Sequence, residues 1–259
     1  MLLVEGMKSV SHNPQAVTLV AGALALALCA CSSSKSSSTE TSAAKVASAR
    51  AEALDRLDKS TQVLTDIRGR IPDDVAKGTK CVVVFPDIVK VGVVVGGQSG
   101  KGYATCQNAS GWSAPAPISI GGGTLGAQIG AQSTELVALV KSDKGMRALQ
   151  TGNFRIGVDA SASAGPVGTG RGSSTGISEG GDLVSYSHAA GLYAGANLDG
   201  TTIKTDEDSV RALYDSKHEL KALLAGTVAV PKDASVGSFL AVVKSGFGID
   251  ENRVSSLGW

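Results

Sequence analysis

The segment GISEG, residues 176–180, has the G-x-S-x-G spacing that presents a nucleophilic serine in many hydrolases. Ser178 would be the nucleophile, and His188 or His218 would have to act as its base. The motif requires a strand before the serine and a helix after it. Ser178 instead lies in a loop rich in Gly, Ser and Thr, with a strand-like segment after it. A hydrolase at Ser178 is therefore a hypothesis that the surrounding sequence disfavours.

A second glycine pattern, GGGTLG at residues 121–126, fits the G-x-G-x-x-G spacing of dinucleotide-binding loops. Such a loop opens a helix whose N-terminus holds the pyrophosphate, but the following LGAQIGAQ does not have the pattern of a helix start. We expect these glycines to serve the curvature of a sheet. The His, Cys and acidic residues form no cluster with metal-ligand spacing, so the sequence predicts neither a metal nor a cofactor.

Cys29 and Cys31 lie where an apolar run meets a serine-rich segment. The run, residues 16–28, is shorter than the roughly 20 residues of a membrane-spanning helix and suits the apolar region of a secretory signal. Leu28, Ala30 and Cys31 resemble the lipobox of bacterial lipoproteins, in which the cysteine is acylated after cleavage. We therefore predict a signal peptide over 1–30, a lipid anchor on Cys31 and a flexible tether over 31–44. An ordinary signal peptide or a short buried helix is the alternative.

The residue after the predicted anchor bears on where the chain is delivered. Ser32, rather than an aspartate, resembles the signal for an outer membrane, which applies if the source has two membranes. We therefore expect a lipid-anchored protein of the cell envelope, in the outer membrane and facing the periplasm.

The other two cysteines, Cys81 and Cys106, lie in strand-like segments. In an oxidising compartment such a pair tends to close into a disulfide, which over a loop of about 25 residues would contribute roughly 3 kcal/mol. Two buried free thiols are the alternative.

Composition limits the functional classes. The formal net charge of +1 gives no global support for nucleic-acid binding, which usually needs a clearly basic domain. The chain contains 33 glycines and only 4% aromatic residues, a composition that suggests many turns and close backbone contacts. Since no segment between residues 72 and 250 has the composition of a linker, we predict a single domain over 45–259.

The periodicity predicts an α+β fold. Apolar residues recur at helical spacing over 45–72, and we expect this amphipathic helix to pack on the domain rather than to lie on a membrane. Short β-branched segments follow from residue 79, and their many glycines favour a curled or barrel-like antiparallel sheet. Short C-terminal helices come last, one capped by Asp206 or Asp208 and the next by a capping box of Ser216 and Glu219.

The β region resembles the SYLF domain family in four segments: VVVFPDIVKVGVVVGGQSGKGYA, GWSAPAPISIGGGTLGAQIGAQSTELVALV, FRIGVDASASAGPVG and SYSHAAGLYAGANLDG. The resemblance covers residues from about 45 to 230. The family comprises lipid-binding proteins of yeast, plants and animals, with an actin-bundling yeast branch, and also occurs in many bacterial lipoproteins. For an exported chain the resemblance implies binding to anionic phospholipid.

Recognition of a phosphate requires Lys, Arg or backbone amides. Four basic residues are candidates for lipid-headgroup binding: Lys90, Lys101, Arg155 and Arg171. Lys90 stands in FPDIVKVG, where the family is usually basic, and each of the four is otherwise a solvated surface charge. Five apolar residues could line an acyl-chain groove, although a place in the core is the simpler expectation: Val91, Val93, Val95, Leu125 and Ile129.

The sequence thus predicts a non-enzymatic phospholipid-binding lipoprotein of the bacterial cell envelope that contacts anionic lipid through a basic face. An envelope scaffold that binds another protein or the cell wall is the alternative from a different class, and a hydrolase at Ser178 is a third. No particular protein partner is indicated.

Overall fold

The structure is a computed structural model of the 259-residue chain and describes residues 37–92, 95–125, 130–164, 181–187, 198 and 200–247. The predicted signal peptide and four candidate residues lie outside these ranges: Cys31, Arg171, Ser178 and His188. Their roles stay predictions.

The described residues form six helices and nine strands. The helices are α1 (Ser37–Arg68), α2 (Asp73–Ala76), α3 (Asp143–Gln150), α4 (Glu207–Tyr214), α5 (Leu220–Leu224) and α6 (Ala234–Phe247). The strands are β1 (Cys81–Gly92), β2 (Val95–Asn108), β3 (Gly111–Trp112), β4 (Ala116–Leu125), β5 (Gly130–Val140), β6 (Asn153–Arg155), β7 (Ala162–Ala164), β8 (Leu183–Ser187) and β9 (Thr202–Thr205).

Helix α1 packs one face onto the sheet and α6, as its periodicity predicts. Ala53, Leu57, Leu64 and Ile67 recur at helical spacing and are fully buried. The helix begins at Ser37, so residues 37–44 of the predicted tether are helical. This segment contains good helix formers such as Ala and Glu, and the side chains of residues 43–48 are exposed.

The strands form one strongly curled sheet in the order β6-β9-β4-β2-β1-β5-β8-β7, with β3 paired to β2 outside this order. Every strand pair is antiparallel except β7 with β8, which is parallel. The chain between these two strands is long enough for the crossover that a parallel pair needs. The predicted α+β fold with a curled sheet is confirmed, with this one parallel pair at its edge.

The two edge strands, β6 and β7, are consecutive in the chain and joined by residues 156–161. On one side, Ile156 N donates a hydrogen bond of 2.9 Å to Thr201 O, beside β9; on the other, Leu183 N donates one of 3.0 Å to Ser161 O. A connection of seven residue steps reaches at most about 25 Å. The sheet must therefore curl far enough to bring its edges within that distance.

Glycine permits a close backbone contact within the sheet. The register of β1 on β2 shifts between Val84 and Asp87, which marks a β-bulge. A Cβ on Gly102 would lie 1.9 Å from the carbonyl oxygen of Val84, and one on Gly100 would lie 2.6 Å from that of Asp87. Both positions therefore require glycine, which confirms the predicted role of glycine at this point.

The curled sheet has a hydrophobic cluster on each face. On the inner face, residues such as Phe85, Ile118 and Phe154 pack with α5. On the outer face, Val82 and Val84 pack under α1 and α6. Tyr103 connects strand β2 to helix α1, because its Oη donates a buried hydrogen bond of 2.6 Å to Ala53 O.

One of the two predicted C-terminal caps is confirmed. Asp206 is the N-cap of α4, and its side chain accepts a hydrogen bond from Ser209 N. The predicted capping box of Ser216 and Glu219 is wrong, because α5 begins only at Leu220 and Glu219 makes no side-chain cap. Ser216 Oγ instead donates to Tyr214 O.

Candidate binding surface

The bulge in β1 decides which way the predicted headgroup residues face. Before it, Val83 and Phe85 face the inner cluster; after it, Ile88 does. One extra residue in a strand moves all following side chains to the other face, so Lys90 lies on the inner face. Lys101 lies on the outer face, opposite Asp87. The structure therefore does not bring these two predicted residues together.

Lys90 is buried among polar side chains. It is 9% exposed, and burial lowers the pKa of its ammonium group. Gln98 lies directly opposite on β2 and is 4% exposed. Thr134, on β5, lies diagonally from Lys90 and is 7% exposed. These three residues form a polar inner patch beside the apolar core.

On the outer face, a row of directly paired residues crosses four strands: Asp87, Lys101, Ser119 and Lys204. An open groove of about 720 Å³ lies between this part of the sheet and α1, whose Arg56 and Lys59 also line it. Acidic residues line it too, among them Glu52 and Asp55. The groove is therefore mixed in charge and not simply basic.

Two cations of the groove are committed to a buried carboxylate. Lys101 Nζ lies 2.9 Å from Asp206 Oδ2, and Arg56 Nη1 lies 3.9 Å from the same oxygen. Burial alone would raise the pKa of Asp206, but hydrogen bonds from Ser209 and Lys101 and the charge of Lys101 outweigh it, so the pKa is lowered. Lys101 thus stabilises the junction between helix α4 and the sheet. Its ammonium group is already paired with Asp206 when no ligand is bound.

Arg155 and Lys204 have the best geometry for an external anion. Arg155 pairs with Thr202 and Lys204 with Asn153 across β6 and β9, which makes the two cations diagonal neighbours about 7–8 Å apart on one face. Both are exposed, and within the described part of the chain neither side chain has an ion pair or hydrogen bond. The Arg155 backbone N–H binds Asp159 Oδ2 at 2.6 Å. We call these two residues the cation pair.

Sequence reasoning named Arg155 but missed Lys204. The signal was present in TTIKT, where alternation puts Thr202 and Lys204 on the face opposite to the buried Ile203. Strands β9 and β6 pair through residues that are 47 or more positions apart in the sequence. No local pattern specifies this pairing.

Apolar side chains complete the outer surface. Val91 is 53% exposed, so its expected place in the core is wrong; the bulge turns it to the outer face together with Val89. For Val95 and Leu125 the structure describes only the backbone, whereas Val93 and Ile129 lie outside the described residues. Ser99, Gly121 and Thr202 continue the row of Val89 across the sheet and end at Arg155.

The catalytic alternatives gain no support from the described geometry. Gly121 to Leu125 of the GGGTLG segment belong to strand β4 and do not open a helix. His218 shares a hydrogen bond of 2.8 Å with Ser216 Oγ, two residues away. Within the described ranges, no three His, Cys, Asp or Glu residues are placed to hold a metal ion. In the same ranges, no helix has the length and apolar character to cross a membrane.

Cys81 and Cys106 are joined by a disulfide in the structure, with Cα atoms 4.0 Å apart. They are directly paired residues of β1 and β2, and both are fully buried. The bridge therefore pins the two central strands at the end opposite to Lys90.

Comparison with known sequences gives a family match and several relatives. Residues 121–245 match the Ysc84 family model, described as "Las17-binding protein actin regulator". An SH3 domain-containing protein of Schizosaccharomyces pombe is 34% identical over 168 residues, which are 63% of this chain and 39% of that protein. Protein YSC84 of Saccharomyces cerevisiae is 30% identical over 168 residues, 63% of this chain and 36% of its own length.

A further Saccharomyces cerevisiae relative, LAS seventeen-binding protein 3, is 29% identical over 165 residues, 62% of this chain and 36% of that protein. This chain thus spans less than half the length of each of these eukaryotic relatives. No solved structure matches the chain significantly.

Proposed function

Because the chain carries a domain of the Ysc84 family, also called SYLF, whose relatives are named as binding proteins, we propose that it acts by binding and not by catalysis. Its ligand is the headgroup of anionic phospholipid. The contact surface is the outer face of β6, β9, β4, β2 and β1, which carries the cation pair at one end and exposed valines at the other.

The observation that carries this proposal is the cation pair itself. Arg155 and Lys204 are exposed and diagonal to each other, with Asn153 and Thr202 completing a square of polar side chains. Arg presents a planar fork of donors and Lys a compact charge, and both bind phosphate oxygens strongly. Val89 and Val91 lie on the same face and are placed to contact the apolar layer just below the headgroups.

Vesicle flotation tests the proposal. The probe is residues 32–259, which include every described residue but not the predicted acylation site, mixed with vesicles of phosphatidylcholine alone or with added phosphatidylglycerol or cardiolipin. Each basic side chain near an anionic surface contributes about 1 kcal/mol. Arg155→Ala with Lys204→Ala should therefore weaken binding about thirtyfold.

A matched control removes two positive charges elsewhere: Lys221→Ala with Lys244→Ala, both exposed helical positions. The control should float like the unaltered chain, and binding should fall from low to physiological salt because exposed charges are screened. Equal loss of vesicle binding in both double variants would show that binding depends only on net charge. If the folded chain floats with no vesicle, the proposal fails and an envelope scaffold that binds protein or cell wall becomes the better hypothesis.

The proposal extends to the location of the protein. Acylation of Cys31 would anchor the chain in the outer membrane, facing the periplasm. The sequence around Leu28 and Cys31 and the disulfide of Cys81 with Cys106, which suits an oxidising compartment, support it. Mass spectrometry of the mature N-terminus should find lipid on Cys31, and Cys31→Ser should remain unacylated and uncleaved. A mature N-terminus without lipid would refute the anchor.

A further inference from the structure

One side of helix α1 forms a charged wall over the groove on the outer face of the sheet. Four residues at helical spacing make up this wall: Glu52, Asp55, Arg56 and Lys59. The guanidinium of Arg56 reaches Asp206, the residue that directly follows strand β9. The wall therefore stands over the part of the groove that Lys204 of β9 lines.

Several charges of the groove are compensated within the protein. Lys59 Nζ lies 2.8 Å from Asp55 Oδ2. Lys101 and Arg56 are both paired with the buried carboxylate of Asp206. The sign of a ligand's charge is therefore decided by the remaining groups of the groove.

Two carboxylates that line the groove, Glu52 and Asp87, have no ion pair in the part of the chain that the structure describes. Glu52 accepts a hydrogen bond of 3.4 Å from Ser48 Oγ, and Asp87 accepts one of 2.6 Å from Ser133 Oγ. Both carboxylates belong to exposed residues. The groove thus presents two uncompensated negative charges in addition to the positive charge of Lys204.

A ligand of one charge sign matches this groove poorly. A phosphate held by Arg155 and Lys204 would also experience the negative charges of Glu52 and Asp87, which repel it. A phosphate that carries a positive group on a short linker would satisfy both signs. The groove has room for such a headgroup, since its volume of about 720 Å³ lies within the range of small-molecule sites.

We propose that the groove selects a lipid headgroup with a primary ammonium next to its phosphate, as in phosphatidylethanolamine. The inference rests on the proposed function, because it takes the cation pair as the end that binds the phosphate. Glu52 and Asp87 supply the negative charge that attracts the ammonium, whose three N–H groups donate charge-assisted hydrogen bonds to carboxylates. A choline headgroup has the same net charge but no N–H donor, so the groove should distinguish the two.

The test is a calorimetric titration of the full chain, purified in a non-ionic detergent, with three soluble lipids. They are the dihexanoyl forms of phosphatidylethanolamine, phosphatidylcholine and phosphatidic acid. The ethanolamine lipid should bind about tenfold more tightly than the choline lipid, which corresponds to a hydrogen bond with a charged partner. Phosphatidic acid presents the phosphate without an ammonium and reports on the cation pair alone.

Glu52→Gln with Asp87→Asn removes both charges and keeps oxygen acceptors for the two serine hydroxyls. This double variant should bind the ethanolamine and choline lipids equally. It should bind phosphatidic acid about two- to tenfold more tightly than the unaltered chain, because two repelling charges are gone. Effects of opposite sign on two ligands cannot come from loss of folded protein.

A matched control removes two exposed carboxylates that do not line the groove: Glu207→Gln with Glu219→Gln. It should keep the preference for the ethanolamine lipid. Binding of phosphatidic acid without that preference, its survival in the Glu52 and Asp87 variant, or its loss in the control would each overturn this inference and leave the cation pair as a phosphate site. No binding of any of the three lipids by the folded chain would overturn both this inference and the proposed function.

Discussion

Lys101 Nζ lies 2.9 Å from Oδ2 of Asp206, a carboxylate that is only 6% exposed and that also caps helix α4. Through Arg56, the same carboxylate connects helix α1 to the sheet. Asp206 is therefore a junction of three elements, and the chain reaches it directly after strand β9, which carries Lys204. The position of the cation pair depends on this junction.

Replacement of Asp206 should destabilise the fold in two separable steps. Asp206→Asn keeps a good helix cap but removes the charge, and should lower the free energy of unfolding by about 1.5 kcal/mol, the lower end for charged hydrogen bonds, because Lys101 is nearly half exposed. Asp206→Ala also removes the cap, which should cost about 1 kcal/mol more. Urea unfolding measures both, and equal values for the two variants would contradict the capping role.

The same carboxylate should give the protein an acid-sensitive part of its stability. The pKa of Asp206 in the fold is lowered below its ordinary value of 3.8, so the unfolded chain binds the proton more readily. Its contribution is therefore present above pH 3.8 and is lost as the pH falls through the lower folded value. The stability difference between the unaltered chain and Asp206→Asn should shrink between pH 5 and pH 2.5; a difference that stays constant would contradict this linkage.

The bulge between Val84 and Asp87 explains what the sequence could and could not predict. Alternation in β1 is regular up to Phe85, and simple continuation would put Lys90 on the same face as Lys101. The extra residue reverses the faces, so Lys90 becomes buried and Val91 exposed. The glycines of the sequence predict a curled sheet. They do not identify the carbonyl oxygens that Gly100 and Gly102 approach opposite the bulge.

Local patterns were sufficient where one element decides the outcome. The buried stripe of α1 and the cap at Asp206 follow from spacing and residue type within a few positions. The cation pair needs the pairing of β6 with β9, and the inner patch needs that of β1 with both β2 and β5. Such long-range pairings depend on how the whole sheet curls, and short-range periodicity carries no information about that.

Glycine at position 102 should be indispensable, and position 97 offers the control on the same strand. Gly102→Ala would place a Cβ 1.9 Å from Val84 O, whereas the nearest atom to a Cβ on Gly97 is 3.9 Å away. Because rigid backbone lies opposite, Gly102→Ala should lower the free energy of unfolding by about 3 kcal/mol or more. Gly97→Ala should change it by less than about 1 kcal/mol. Similar urea midpoints for the two variants would show that the bulge relaxes freely.

The disulfide of Cys81 with Cys106 should stabilise the sheet and resist reduction in the folded protein. It closes a loop with a sequence separation of 25, so Cys81→Ala with Cys106→Ala should lower the free energy of unfolding by about 3 kcal/mol. Because both sulfurs are buried, dithiothreitol at neutral pH should release thiols only as fast as the protein unfolds. Thiol titration with and without urea measures this rate. Rapid release from the folded chain, or equal urea midpoints for the oxidised chain and the double variant, would contradict a buried and stabilising bridge.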